Sequence, residues 1–162
     1  MAMHDTRRLG LIGAGLLLLA TGSKGDGRPA LSDCSHCPLM QPLASGKFTM
    51  GAAPGLELAE SDQQPPREVN IPKSFAIGVH EITRAQFAYF EAATGYQART
   101  GCNFLNGVEW VLDPTRDWRD PGYSQAPSHP VVCVSWDDAV AYTTWLSSET
   151  GHLYRLPSEA EW

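Results

Sequence analysis

"HPVVCVSWDDAVAYTTWLSSETG", residues 129–151, decides how this chain is read, because an apolar run passes straight into a helix that carries its own start and stop signals. Ser135 followed three residues on by Asp138 places an oxygen acceptor at each end of a capping box, which satisfies amides that the first helical turn leaves free. Ala139, Tyr142 and Leu146, with Trp145 beside them, fall at helical spacing and predict one buried face. Asp137 and Asp138 suit the positive end of the helix dipole, and Gly151 is placed to end the helix in a left-handed turn. The preceding "HPVVCVSW" reads as a short apolar strand. No repeated βαβ rhythm surrounds it, so the expected class is a small α+β domain with much irregular structure.

The same signals recur outward from that stretch. Upstream, Thr83 with Gln86 predicts a second capped helix, with Gly95 as its stop and Phe87, Phe90 and Ala93 or Thr94 on the buried side. Before it, "GKFTMG" alternates around Phe48 and Met50 as a short strand. "EVNIPKSFAIGVHEI" places Val69 and Ile71, then Phe75 and Ile77, on common faces, with Pro72 and Lys73 marking an edge or bend. Residues 96–130 show no long period and read as an extended loop, in which Trp110, Trp118 and Tyr123 either pin the loop to the body or stack on a ligand. Downstream, "YRLPSEAEW" spells a third capping box, Ser158 with Glu161. Only a few residues follow, while an isolated helix needs about 12–15 to be marginally stable. The expectation is therefore that the sequence is the front portion of a longer domain.

At 162 residues and 43% apolar content, the chain can fold around a core. A net charge of −6 provides no extended basic field, which argues against a nucleic-acid partner. Arg7 and Arg8, the apolar run from Leu9 to Leu19, and small residues at Ala20 and Gly22 have the order of a secretory signal. A short membrane anchor is the alternative, but the run is too short for a stable span, and Thr6-Arg7-Arg8 gives a slight twin-arginine character. Residues 1–22 are read as a signal peptide, residues 23–33 as a linker and residues 34–162 as the domain. The expected location is the periplasm or the cell exterior, with no stable membrane span after cleavage.

Export bears on the four cysteines, because thiols outside the cytosol tend to pair. Cys34 and Cys37, in "CSHC", could form a tight disulfide, half a zinc site or a redox-active pair. Zinc would need a second ligand pair at short spacing, haem attachment would need histidine where Pro38 stands, and Pro38 and Pro42 oppose a thioredoxin-like helix. A structural disulfide is the simplest reading, and elimination then pairs Cys102 with Cys133.

Other candidates for chemistry are explained more simply. His80-Glu81 lacks the second histidine of a zinc protease, and no nucleophile elbow, phosphate loop or dinucleotide fingerprint occurs. Asp137 and Asp138 point about 100° apart on a helix and serve its dipole. His129 has no partners at ligand spacing. The residues alone define an exported α+β domain without a visible active site.

Taken together, "GKFTMG", Glu68-Val69, "SFAIGVHEITRAQFAYFEAATGY", "HPVVCVSWDDAVAYTTWL" and "YRLPSEAEW" resemble the sulfatase-modifying factor, or formylglycine-generating enzyme, family. Ile82 stands where valine is commoner. The resemblance implies a fold related to C-type lectins. It also implies an oxygen-dependent oxidase that converts a sulfatase cysteine within Cys-x-Pro-x-Arg to formylglycine, using copper(I) held by two cysteines. Those cysteines, and the family's calcium loops, belong to the C-terminal half of the family domain. No catalytic, metal or cofactor residue is therefore expected in this chain, and Cys102 and Cys133 match no catalytic cysteine of the family. The sequence supports three hypotheses: part of an exported oxidase, part of a relative that uses histidine-bound iron or is non-catalytic, or a complete small secreted binding module held by two disulfides.

Overall fold

The computed structural model describes residues 29–53, 55 and 63–162, so the expected leader and residues 23–28 of the expected linker lie outside the described residues. Six short strands and two helices follow in the order β1 (Met40–Leu43), β2 (Gly46–Met50), β3 (Arg67–Ile71), β4 (Phe75–Gly78), α1 (Arg84–Thr94), β5 (Cys102–Leu105), β6 (Trp110–Asp113) and α2 (Trp136–Thr150). The strands make three two-stranded antiparallel ribbons, β1 with β4, β2 with β3, and β5 with β6. This is the expected α+β class, with the helices packed on each other and the ribbons around them.

The first four strands nest one hairpin inside another. Phe48 pairs with Val69 in β2–β3, and Leu43 pairs with Phe75 in β1–β4, so Pro72 and Lys73 lie at the bend between the ribbons. Gly51 exits β2 at φ 110°, and a Cβ there would sit 2.6 Å from the Gln63 carbonyl oxygen, which already accepts from the Ala52 amide. Both the torsion and the close approach require glycine at that position. Residues 29–33 do more than link, because Leu31 exchanges backbone hydrogen bonds with Met40 at 2.9 and 2.7 Å and extends the β1 edge.

Both helices start and stop as their sequences predict. Thr83 and Ser135 cap α1 and α2 with both halves of each capping box formed, and Gly95 and Gly151 close them in the left-handed region at φ 72° and 71°. The core lies between them: Phe87, Phe90, Ala139, Tyr142 and Leu146 are buried together with Ile82, Val131, Cys37 and Trp118. Phe90 meets Tyr142 edge-on at 5.5 Å between centroids, and Phe87 meets Trp118 edge-on at 5.3 Å, arrangements that aromatic quadrupoles favour.

Three expectations need correction. Ala93 and Thr94 are exposed, and the buried position on that turn of α1 is Glu91. Residues 129–135 are not a strand; only Pro130 makes an isolated bridge, to Thr83. Pro130 has no amide to donate, and Cys133 adopts φ 56°, which breaks any ladder after two residues. The stretch 96–130 is not all loop, because β5 and β6 form a hairpin around Asn106, whose side chain accepts from the amides of Val108 and Glu109 at 3.0 Å each.

Candidate functional site

The loop is held to the body from the helix start upward. The first amides of α1 have no partner within the helix. Arg84 donates its amide to the His129 carbonyl and Ala85 donates to the Pro127 carbonyl, each at 2.9 Å. The Arg84 guanidinium donates to the carbonyls of Gln125 at 2.5 Å and Arg119 at 2.9 Å. Glu91 completes the anchoring: it accepts from Trp118 Nε1 and the Ala98 amide, each at 3.1 Å, and pairs with Arg119. Trp118, only 5% exposed, therefore pins the loop, whereas Trp110 and Tyr123 are exposed.

Asp138 has a similar hub role in α2. It is fully buried, accepts from the Ser135 amide and hydroxyl at 2.7 Å each, and accepts from the Tyr96 hydroxyl at 2.9 Å. Burial raises the Tyr96 pKa, with the Asp138 hydrogen bond acting in the same direction. Both carboxylates are structural: they tie residues 96–119 to the helix pair. Asp137, exposed, pairs with Arg99 at 3.2 Å. His129 accepts from the Ala126 amide at 3.3 Å and turns the loop locally.

Between α2, the β1–β4 ribbon and residues 152–161 lies a groove of about 430 Å³. Met40, Phe75 and Ile77 form its sheet wall, Tyr142 and Leu146 its helix wall, and Leu153 lies along the C-terminal segment that borders it. Its rim is polar. Asp33 Oδ2 accepts from the Tyr154 hydroxyl at 2.5 Å and lies 3.0 Å from His152 Nδ1. The Tyr154 bond and then His152 hold the Asp33 carboxyl below its usual range, and burial and Asp33 together push the Tyr154 phenol up. Arg155 makes two hydrogen bonds to Glu161, at 2.7 and 2.6 Å, and with the Ser158 cap these lower the Glu161 pKa to about 2. Of the third capping box one half is formed: Glu161 Oε2 accepts from the Ser158 amide and hydroxyl at 2.9 Å each, while the amides of Glu161 and Trp162 bond to the Ser158 carbonyl. Tyr142 lines the groove, and its buried hydroxyl has no hydrogen-bond partner among the described residues.

The four cysteines are brought together as Cys34–Cys37 and Cys102–Cys133, and none is free. The first pair closes a turn against the helix pair, and the second ties the start of β5 to the residue at positive φ. A copper(I) centre needs thiolates, so with every sulfur bonded these residues do not fit one. Among the described residues the only group of three His, Cys, Asp or Glu side chains close enough to share an ion is Cys34, His36 and Cys37.

A small α+β domain of three hairpin ribbons on a capped helix pair, with a pinned loop and an apolar groove, is the class that fold and geometry define. The sulfatase-modifying factor enzyme 1-like domain family matches residues 29–162, and the chain belongs to that family. It is 33% identical over 148 residues to the formylglycine-generating enzyme of Thermomonospora curvata, covering 76% of this chain and 46% of the relative. It is 31% identical over 151 residues to the inactive C-alpha-formylglycine-generating enzyme 2 of Mus musculus, covering 77% of this chain and 46% of that one. Among solved structures, PvdO from Pseudomonas aeruginosa aligns with a TM-score of 0.70 and 33% identity, covering 83% of this chain and 49% of that one. The chain thus spans about half the length of the relatives it matches.

Sequence reasoning located the caps but missed Glu91, Arg119 and Asp33. The partners of Glu91 lie 27 and 28 residues away, across a loop with no period. The available signal was a charged residue one position after the Phe87–Phe90 stripe, where burial requires a partner.

Proposed function

We propose that this chain is the N-terminal half of an exported formylglycine-generating-type oxidase, whose whole form converts a cysteine of a sulfatase or another protein to formylglycine with oxygen. The observation that carries the reading is the groove: an apolar trough with the orphaned Tyr142 hydroxyl and with Leu153 on its border at 86% exposure. A second half of the domain, of the length the relatives carry, would cover those groups and supply the copper(I)-binding thiolates and the calcium loops. The proposed location is the periplasm or the cell exterior, with residues 1–22 as the export signal. Fusion of residues 1–30 to an alkaline phosphatase reporter, which is active only where its disulfides form, tests this; a fusion that accumulates without phosphatase activity would count against it.

The activity is tested with a Cys-x-Pro-x-Arg peptide, oxygen and mass spectrometry. Residues 1–162 alone are expected to give no formylglycine, because every cysteine is in a disulfide. The chain joined to a second half is expected to give it. Turnover by residues 1–162 alone would overturn the division of labour. A joined protein that is folded and copper-loaded yet inert would favour the second reading, a non-catalytic relative, with which the likeness to the inactive mouse protein agrees; one that binds iron in place of copper would favour a histidine-iron relative.

A further inference from the structure

We propose that the Cys34–His36–Cys37 corner is a redox-gated zinc site, which holds the cation when the disulfide is reduced and expels it when the disulfide forms. The ligand atoms of all three residues lie within 4.8 Å of one another. The Cys34–Cys37 turn is set by a 3.2 Å bond from the Cys37 amide to the Cys34 carbonyl, and the Ser32 hydroxyl bonds both cysteine carbonyls. Such a turn presents two sulfurs to one point. Tetrahedral zinc with bonds of about 2.3 Å needs sulfurs about 3.8 Å apart, and side-chain rotation from Cα atoms 5.0 Å apart reaches that separation. The histidine ring must close by about 1 Å to meet the roughly 2.1 Å zinc–nitrogen bond.

His36 is unusually prepared for this. Its ring stacks on Tyr89 at 3.9 Å and 19°, with Trp145 at 5.9 Å on the same stack, so helices α1 and α2 fix its plane. Its Nε2 is buried without a hydrogen-bond partner, and the nearby Glu149 Oε1, at 3.7 Å, is beyond bonding distance. An imidazole nitrogen in that condition is an available donor. Two thiolates, one imidazole and a fourth position filled by Glu149 or water form the mixed sulfur and nitrogen set that zinc takes in tetrahedral sites, whereas copper(I) is selected by soft sulfur ligands.

The chemistry balances with a dithiol as reductant. It gives two electrons and two protons to the Cys34–Cys37 bond and leaves as its own disulfide, and zinc then displaces the two thiol protons. A reducing compartment favours the zinc form and an oxidising one the disulfide.

The test uses the 162-residue chain, reduced by a phosphine and titrated with cobalt(II) as a coloured stand-in for zinc. One equivalent is expected to give thiolate-to-cobalt charge-transfer and tetrahedral d–d bands, bleached by one equivalent of zinc(II) and absent before reduction. His36→Ala is expected to weaken zinc at least tenfold, and Cys37→Ser to abolish the bands, while Cys102→Ser with Cys133→Ser leaves them. A reduced chain with four titratable thiols that shows no bands, folded or not, overturns the proposal. So do bands that survive Cys37→Ser, or an affinity indifferent to His36→Ala. Formylglycine formation plays no part in the readout, so the outcome is independent of the proposed oxidase.

Discussion

The helix core and the groove share Tyr142 and Leu146 of α2, yet the first is closed and the second is open at its rim. Toward α1, Phe90, Tyr142 and Leu146 are at most 2% exposed and Trp118 seals the edge. Toward the groove, the neighbouring Leu153 stands in solvent, and the Tyr142 hydroxyl is buried without a partner. The difference lies in what is packed against each face, and not in amphipathicity: the closed face has α1 and a pinned loop, the open face only short strands and a strap. The two faces should therefore respond very differently to mutation.

The largest effect is expected on the closed face. Phe90→Ala removes a ring packed against Tyr142, Tyr96 and Trp145 and should cost about 3–5 kcal/mol. Denaturant melts followed by tryptophan fluorescence measure it. A loss below about 1 kcal/mol would show that the helix pair is not the core.

Next comes Glu91→Ala, expected to cost about 1–3 kcal/mol, because it leaves the buried Trp118 indole and the Ala98 amide without their acceptor, while the half-exposed Arg119 keeps Asp117. The loop should detach with it, so limited proteolysis within residues 97–125 is expected to accelerate more than in Phe90→Leu. Equal acceleration in both would mean that Glu91 has no special role in holding the loop.

These residues also mark what could be read in advance. The capping boxes of α1 and α2 and both glycine stops were legible, because a cap is made by residues three apart and depends on nothing distant. The helix class followed from them. Glu91, Arg119 and Trp118 were not legible as a unit, since their meeting depends on how a loop returns across the fold. The β5–β6 hairpin carried a local sign in Asn106-Gly107, turn-forming residues that open its four-residue loop. The strand expected in "HPVVCVSW" failed for a reason present in its own sequence, Pro130, and for one that was not, the disulfide-bonded Cys133 at positive φ.

On the open side the effects shrink and become dependent on pH. The Glu161 carboxyl falls from an ordinary 4.5 to about 2, through Arg155 first and the Ser158 cap second. A lowered carboxylate pKa stabilises above the unfolded value, so this contribution is full above about pH 4.5 and is lost as the pH falls toward 2. The Arg155 side chain is half exposed, so the pair is worth about 1 kcal/mol at most. Glu161→Gln should remove that part of the acid dependence and leave stability at pH 7 lower by a similar amount. An acid limb identical to the unmodified chain would show that the Arg155–Glu161 bridge does not form in solution.

The smallest effect is the most informative about the groove. Leu153→Ser exchanges a side chain that is 86% exposed and should change the stability of residues 1–162 by no more than about 0.5 kcal/mol. In the chain joined to a second half, the same substitution would lie at a buried seam, where removing a leucine costs about 2–5 kcal/mol. Measuring both melts places Leu153 on one side of that division. If the substitution is silent in both proteins, the groove is an outer surface of the whole domain and the open face of α2 is its finished state. If it is silent only in the shorter chain, the open face is half of an interior.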